Sequence, residues 1–493
     1  MMMNVQSGHS RRRRRGRLPL SGVALQGGWL PLGLLCAAFA VLALGGGSNR
    51  TDVLSLLYVR PALVLVLAGM ILLVPTSELK PLRVPLLLLL CGVALALIQL
   101  IPLPPGIWTA LPGRELMVEA ARAQGVAQPW RPISLTPDLT VQALLWFLAP
   151  ACALVGWAAV PPDARRSVLF VLLGVGMVSA LLGGLQAVQG VGSPLYLYQR
   201  TYEGNAVGFL ANRNHQAALL SAMFPLLRIV TLLPTTTPQV ALRRQIAAGL
   251  CALALIPLIL LTASRAGMGL MVVGIIMAAM MAPLASGRRG KLLSWGLLIG
   301  GVAIAALVFF FGRALALNRL FELNALDDLR LRNTPQVLKM IGDFFPFGSG
   351  LGSFDPVFRI LEPDSLLRPT TYNHAHNDFF EVAMTGGAAG VALMAAGLAW
   401  WLVAGWRLFR SRGRLGISGL LGRAGWSVML ILMLASTVDY PLRPPLMGFI
   451  FTIAASWVAQ ALYRGADRAS ALQKSEAGIG KPNSVKSYEE LNP

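Results

Sequence analysis

Three of the four histidines in this chain lie in two short polar runs within an otherwise apolar sequence. The first run, NRNHQ, covers residues 212–216, and the second, NHAHND, covers residues 373–378. Imidazole is well suited to moving a proton near neutral pH, because its ordinary pKa is about 6.5. Polar residues are costly to hold beside a membrane and usually serve a function there. These two runs are therefore the first candidates for catalytic chemistry.

Arginines near the ends of apolar stretches can supply anion ligands beside these histidines. The motif SRAG at residues 264–267 predicts a very tight turn between two apolar helices, which would hold Arg265 at the membrane boundary. A charge near the bilayer interior costs about 2.5–3.5 kcal/mol, which favours an anionic partner for Arg265. Arg213 or Arg443 alone can be explained by contact with lipid headgroups, or by pairing of Arg443 with Asp439. The full set is Arg213, Arg265, Arg330, Arg332 and Arg443.

A metal site is a competing interpretation of the second histidine run. His374 and His376 form a His-x-His pair, and oxygen ligands are available nearby from Asp327, Asp328, Asp378 and Glu381. The sequence has no His-Glu-x-x-His and no Asp-x-Asp pattern. The cysteines, Cys36, Cys91, Cys152 and Cys251, lie in apolar stretches without paired spacing. We therefore expect neither a metal nor another cofactor.

Composition identifies the class of protein that carries these residues. The chain has 493 residues, of which 55% are hydrophobic and only 13% are charged. Many apolar stretches reach the roughly 20 residues that cross a bilayer as a helix, and none alternates like a barrel strand. We predict an all-α polytopic transmembrane helical bundle of about twelve spans. The predicted spans are 28–47, 58–76, 84–104, 140–160, 167–188, 215–234, 246–263, 266–284, 292–311, 379–405, 425–439 and 445–463.

The distribution of lysine and arginine predicts the orientation. If the amino terminus is cytoplasmic, every inside loop is basic, including Arg11–Arg15, Lys80 with Arg83, Arg165 with Arg166, Arg243 with Arg244, Arg288 to Lys291, and Arg407 to Arg414. Both termini are then cytoplasmic. The histidine runs and the arginines of the candidate site all face outward. The net charge of +21 is explained by topology and contact with membrane lipids, so no nucleic-acid partner is expected.

The topology divides the chain into four regions. A basic cytoplasmic segment, 1–27, precedes an amino-terminal transmembrane region, 28–199, and a second membrane domain, 200–463; a polar cytoplasmic tail, 464–493, is expected to be disordered. The outside segments are 105–139, 189–214 and 312–378. The last is the longest, and amphipathic patches such as 337–341 predict short helices in this loop between spans 9 and 10. The run FPFGSGLGSF, 345–354, is predicted to be a structural turn.

Three sequence runs resemble the O-antigen ligase and polysaccharide polymerase superfamily of bacterial inner membranes. They are SRAG at 264–267, the R…MI…P.FGSGLGSF pattern at 330–354, and HAHNDFFEVAMTGGAAG at 374–390. The resemblance covers about residues 200–455. In the last run, His376-Asn377 is followed after nine residues by Gly387, with Gly390 three further on. Glycines at that spacing would let another helix approach closely.

The resemblance implies a metal-independent inverting glycosyltransferase of the bacterial inner membrane, with its active face periplasmic. Its donor would be a glycan on undecaprenyl diphosphate. Its acceptor would be the lipid A core in a ligase, or a second lipid-linked repeat in a polymerase of lipopolysaccharide or exopolysaccharide biosynthesis. The motifs do not separate these two activities. A lipid-linked oligosaccharide flippase and a structural scaffold are alternatives, but the distinctive charges gather at one face rather than along a path through the membrane.

The resemblance also assigns roles to individual residues. His376 would activate the acceptor hydroxyl, and Arg265 and Arg330 would hold the diphosphate. Arg332 competes with Arg330 for that role, because a shift of two residues exchanges them. Further substrate contacts are expected from Arg213, Arg332, His374, Asn377 and Arg443. The family commonly places a glutamate nine residues after the motif histidine, where this chain has Thr385.

Overall fold

The computed structural model describes residues 29–281, 325–367, 372–410 and 416–479, which are mostly helical. Within these ranges, nine helical segments are long and apolar enough to cross a membrane, and two shorter apolar helices, Trp29–Gly45 and Arg265–Met280, accompany them. Each of these segments overlaps a predicted span, although Pro238–Leu260 and Ile417–Ala435 begin eight residues earlier than predicted. The predicted span at 292–311 lies outside the described residues. The all-α polytopic bundle is confirmed.

The helices have the following bounds in chain order. They are α1 Trp29–Gly45, α2 Leu56–Leu73, α3 Thr76–Leu79, α4 Arg83–Gln99, α5 Pro105–Trp108, α6 Glu115–Ala123, α7 Pro137–Trp146, α8 Leu148–Ala159, α9 Arg165–Gln189, α10 Arg213–Leu232, α11 Pro238–Leu260, α12 Arg265–Met280, α13 Ala325–Phe344, α14 Phe354–Leu361, α15 Asp378–Arg410, α16 Ile417–Ala435 and α17 Pro445–Ile479. Short 3-10 helices cover Lys80–Leu82 and Asp364–Leu366, and the strands β1 Pro102–Leu103 and β2 Arg131–Pro132 pair antiparallel.

Polar caps determine where two important spans begin. The side chain of Asn212 accepts a hydrogen bond from the backbone N–H of Asn214 at 2.8 Å and starts α10. Ser264 Oγ accepts from Gly267 N at 3.0 Å and starts α12, so the predicted tight turn between spans is confirmed. Such caps satisfy backbone donors that the first helical turn leaves unpaired.

Close glycine contacts orient α10 and α12 in parallel. A Cβ on Gly267 would lie 2.3 Å from Ala217 Cβ, and one on Gly274 would lie 2.4 Å from the carbonyl oxygen of Ser221. Both helices advance together along this contact, so they begin at the same end of the bundle. Because these glycines have no side chain, the backbones of the two helices can approach closely.

Loop hydrogen bonds bring further span ends to the same place. The N–H of Asp378 donates to the carbonyl of Ser436 at 3.0 Å, and that of Leu446 donates to Gly46 at 2.9 Å. The start of α15, the end of α16, the start of α17 and the end of α1 therefore meet. We call this end of the bundle, with residues 45–49, 212–215, 372–378 and 436–445, the histidine end.

The opposite end of the bundle carries basic residues. At the start of α9, Arg165 donates to Glu78 Oε2 at 2.6 Å and to Gln460 Oε1 at 3.2 Å. The start of α9 therefore lies beside the distal part of α17. Arg166 and Arg464 line a cavity at the same level. We call this the basic end. It collects residues of the predicted cytoplasmic loops, in keeping with the orientation predicted from the sequence.

The turn at 345–354 packs against a kink in α15. Gly387 has a φ of 59°, inside the left-handed region, and a Cβ there would lie 2.2 Å from the carbonyl oxygen of Pro346. The close approach expected at this glycine is therefore made by the turn and not by another helix. On the other side of the turn, buried Arg114 donates to the carbonyls of Ile133 and Gly348 at 2.6 and 3.1 Å. The 105–139 segment is thus fastened to the same turn.

Two local expectations require correction. Residues 337–341 belong to α13, a helix of 20 residues, rather than to a short surface helix. The tail was expected to be irregular from residue 464, but α17 continues to Ile479. The segment after Arg464 is rich in alanine and other good helix formers, which lets the preceding span propagate into it.

Candidate active site

The centre of the histidine end is a buried carboxylate. Asp439, in the loop between α16 and α17, is 2% exposed. Its Oδ2 accepts hydrogen bonds from Asn214 Nδ2 at 2.6 Å and from Asn212 Nδ2 at 3.4 Å. Both amides come from the start of α10, whose positive dipole end also favours a negative charge. His215 Nε2 lies 3.8 Å from Asp439 Oδ1, beyond hydrogen-bond distance.

The same carboxylate joins two residues from the carboxyl-terminal half of the chain. His376 Nδ1 lies 3.2 Å from Asp439 Oδ1, and Arg330 Nη2 lies 3.5 Å from Oδ2. Arg330 Nη1 also donates to the carbonyl of Val438 at 3.1 Å. The structure therefore brings together the motif histidine and the loop arginine on one acid.

The surroundings determine the charge of these groups. Burial opposes ionisation of Asp439, but the nearby imidazoles of His215 and His376 outweigh it and hold the Asp439 pKa well below its usual range. Burial lowers the pKa of His376, against the raising effect of Asp439, and the positive charge of Arg330 lowers it further. A carboxylate only accepts, so Nδ1 of a neutral His376 carries the proton. Nε2 is then left as an unprotonated base.

The backbone and two aromatic rings hold His376 in position. Its φ of 49° is unusual for a residue with a side chain and places a kink directly before α15. Its ring centroid lies 5.0 Å from that of Tyr440 and 5.2 Å from that of Tyr372. The imidazole is therefore fixed by packing as well as by Asp439.

A second buried cluster lies next to the first. His374 Nδ1 lies 2.9 Å from Glu381 Oε1, and its Nε2 contacts the amide of Asn49. The ring of His374 packs 4.3 Å from that of Tyr440, the ring that His376 also contacts. The Tyr440 ring therefore packs against both His374 and His376.

Arg443 belongs to this second cluster. Its Nε donates to Asp378 Oδ1 at 3.0 Å, and its Nη1 lies 3.0 Å from Glu381 Oε1. The pairing of Arg443 with Asp439 that was considered from the sequence is wrong, because the Arg443 guanidinium pairs with Asp378 and Glu381. Ser436 Oγ completes the cluster by donating to Asp378 Oδ2 at 2.9 Å. A role for Arg443 in binding substrate stays a prediction.

Arg330 and Arg332 lie on different sides of α13. Arg332 is exposed, and its Nη2 donates to the carbonyl of Ser365 at 3.3 Å, whereas Arg330 contacts Asp439. Two residues along an α-helix rotate a side chain by about 200°, so both cannot face one site. The geometry favours Arg330 as the arginine of the Asp439 cluster.

The remaining predicted residues lie at the same end of the bundle. Arg265 is exposed at the start of α12, half a turn before the contact of Gly267 with α10. Arg213 contacts Asn205 Oδ1 at 3.4 Å, and its Cζ lies 5.2 Å from the Tyr202 ring.

Asn377 caps α15. Its Oδ1 accepts from the N–H groups of Phe379 and Phe380, and its Nδ2 donates to the carbonyl of Thr437. Thr385, where relatives often have glutamate, bonds to the backbone carbonyl of Glu381. The carboxylate that contacts His376 belongs to Asp439.

Sequence reasoning missed the central position of Asp439 and the contribution of Asn212 and Tyr440. Asp439 was placed among the outward-facing polar residues and considered as a partner of Arg443, but not as a partner of His376. One usable signal was an aspartate between two apolar spans on the same predicted side as the histidines. Within the described ranges, no group of three or more His, Cys, Asp or Glu side chains is arranged to hold a metal.

Comparison with known proteins gives a family match for a region that contains part of this site. Residues 250–395 match a family model described as O-antigen ligase. A search of curated proteins returned no match. The matched region contains Arg265, Arg330 and His376, and the resemblance to the O-antigen ligase superfamily is confirmed. The chain is a multi-pass membrane protein in which residues 250–395 are similar to O-antigen ligases.

Exchanging each arginine of the Arg330 and Arg332 pair for glutamine separates their roles. We expect Arg330→Gln to lower glycan transfer by at least about tenfold, because it removes a preorganised charge beside His376. Arg332→Gln is the matched control, two residues away on the same helix, and should stay near wild type. The measurement is glycan attached by cells that carry each variant at equal protein level. A larger loss in Arg332→Gln than in Arg330→Gln would contradict the assignment.

Proposed function

We propose that this protein transfers a glycan from undecaprenyl diphosphate to an acceptor sugar hydroxyl at the periplasmic face of the bacterial inner membrane. The observation that carries the proposal is the contact of His376 and Arg330 with the one buried carboxylate, Asp439, at the histidine end. The matching family model is described as O-antigen ligase, and the acceptor in this proposal is the lipid A core or a second lipid-linked repeat. In this orientation the basic end and both termini are cytoplasmic.

The proposed reaction is a single displacement. Asp439 holds the Nδ1–H of His376, and Nε2 accepts the proton of the acceptor hydroxyl as its oxygen attacks the anomeric carbon. The bond from that carbon to the diphosphate oxygen breaks, and the electron pair leaves with the diphosphate. The anomeric centre inverts. The diphosphate is a good leaving group, so no metal and no covalent enzyme intermediate is needed in this scheme.

Arginines would stabilise the charge that accumulates on the leaving group. Guanidinium groups form bidentate hydrogen bonds with phosphate oxygens, and such bonds are strong where water is scarce. Arg330 stands beside His376, and Arg265 begins a helix at the same end of the bundle. We assign both to the diphosphate. Arg213, which lies at the start of the adjacent α10, would contact the neighbouring part of the donor.

An apolar cavity of about 500 Å³ supports a lipid substrate. It lies between α4, α7, α8, α15, α16 and α17, and Asp378 and Arg443 line it together with many apolar side chains. A cavity of this size can hold a sizeable part of an apolar ligand. We propose that it receives the first isoprene units of the undecaprenyl chain, which places the diphosphate near the second cluster and His376.

Transfer by the purified full chain tests the proposed base. We expect His376→Ala to slow transfer from a synthetic undecaprenyl diphosphate glycan by about 10²–10⁴-fold, the usual contribution of a general base. The acidic limb of the wild-type pH profile should lie below pH 6.5, because the pKa of His376 is lowered and the base must be neutral. Removing the positive charge in Arg330→Gln should move that limb to higher pH.

That assay is done in detergent solution because no membrane there separates two compartments. Product formed there excludes translocation as the sole activity. His376→Ala with a wild-type rate and wild-type protein stability would overturn the proposed mechanism. Transfer that requires an added divalent cation would overturn its metal independence.

Filling the apolar cavity tests the site of the isoprenoid chain. Gly397 lines the cavity, and a Cβ there would be in ordinary contact with Leu88 at 3.8 Å. We expect Gly397→Leu to raise the KM for the lipid donor by several-fold with little change in kcat, because it removes binding volume away from the reacting atoms. Gly249→Leu in α11 is the matched control, since open space surrounds that glycine. Equal KM values in the two variants would exclude this cavity as the isoprenoid site.

A further inference from the structure

A second cavity lies at the basic end, across the membrane region from the histidines. Its volume is about 340 Å³, and it is bounded by the α8–α9 turn, the start of α16 and the distal part of α17. Ile417 and Leu421 supply apolar walls. None of its lining residues belongs to either cluster of the candidate active site. A cavity of this size can hold a small polar group with part of an attached chain.

Three of the residues that line this cavity carry hydrogen-bond donors without a partner among the described residues. The indole N–H groups of Trp157 and Trp457 and the hydroxyl of Ser418 are buried and have no hydrogen-bond partner among the described residues. All three residues line the cavity. Each tryptophan is only 1% exposed. Buried indole N–H groups normally find an acceptor, so two without one at the same cavity point to a ligand that brings oxygen atoms.

The charges around the cavity favour an anion. Exposed Arg166 and Arg464 line it, opposed by a single lining acid, Asp163. A third arginine, Arg165, is neutralised by Glu78 at 2.6 Å and lies with its Cζ 5.2 Å from the Trp157 ring. Arg165 therefore packs against the Trp157 side of the cavity. The two exposed arginines are the candidates for direct contact with an anion.

Two helix starts add to this field. α9 begins at Arg165, and α16 begins at Ile417 behind Gly416, without a side-chain cap among the described residues. The first N–H groups of a helix and its positive dipole end attract anions. Both helix starts line the same cavity as the two tryptophans, so one ligand in the cavity could approach all of them.

We propose that this cavity binds the phosphate diester headgroup of an anionic glycerophospholipid from the cytoplasmic leaflet. A phosphate diester supplies several acceptor oxygens and one negative charge, which match the donors and arginines described above. A lipid is favoured over a soluble phosphate because apolar side chains line the site at the level where several spans begin. Basic pockets between membrane helices are typical sites for such headgroups.

Native mass spectrometry of the purified full chain in detergent tests this site. The probes are phosphatidylglycerol and phosphatidylcholine with identical acyl chains, and inorganic phosphate as competitor. We expect tighter binding of phosphatidylglycerol, and a loss of about fivefold in affinity for each of Arg166→Gln and Arg464→Gln. Trp457→Phe, which keeps the ring but removes the N–H, should also weaken binding. Inorganic phosphate should neither bind nor displace the lipid at millimolar concentration.

Arg410→Gln is the matched control for these variants. Arg410 is exposed at the same end of the bundle, where it stacks on Trp406 with its Cζ 5.6 Å from the ring, and it does not line the cavity. It should bind phosphatidylglycerol like wild type. Equal affinity for the two lipids, or an equal loss in Arg410→Gln, would overturn the site. Displacement by inorganic phosphate would overturn the assignment to a lipid.

Discussion

The arrangement of the active site depends on keeping Asp439 ionised while it is buried at the end of a membrane bundle. A buried carboxylate loses several kcal/mol of hydration and remains charged only when hydrogen bonds and positive groups replace the water. Here amides from the start of α10, the ring of His376 and the guanidinium of Arg330 perform that task. These groups come from segments that lie up to 227 residues from Asp439 in sequence. The groups that stabilise the charge of Asp439 are therefore also the groups that form the site.

The same interaction determines the chemical state of the base. Because Asp439 stays ionised, it orients the proton of a neutral His376 onto Nδ1 and directs Nε2 away from itself. Arg330 favours neutral His376 and, in the proposed mechanism, offers its charge to the diphosphate. The second cluster, built on Glu381 and Arg443, holds His374 against Tyr440 and so stiffens the loop that carries His376. One acid thus orients the His376 imidazole, and another supports the loop that carries it.

The spans could be predicted because length and apolarity are sufficient to define them. Orientation then placed His376 and Arg330 on one side, and their proximity was expected from a resemblance as well as from topology. The partner of His376 could not be predicted, since Asp439 is a lone acid without a spacing that marks it. The choice between Arg330 and Arg332 required the rotational phase of α13 against its neighbours. The partner of Gly387 depended on the path of a distant turn.

The most direct measurement is the transfer rate of purified Asp439→Asn, a substitution that keeps the shape of the side chain and removes its charge. The amide can present its N–H to His376 and stabilise the wrong tautomer, with the proton on Nε2. We expect transfer to fall by about 10²–10⁴-fold, close to the whole contribution of the base, while the protein remains folded. A rate within a few-fold of wild type, with an unchanged pH profile, would show that the buried carboxylate does not control the reaction.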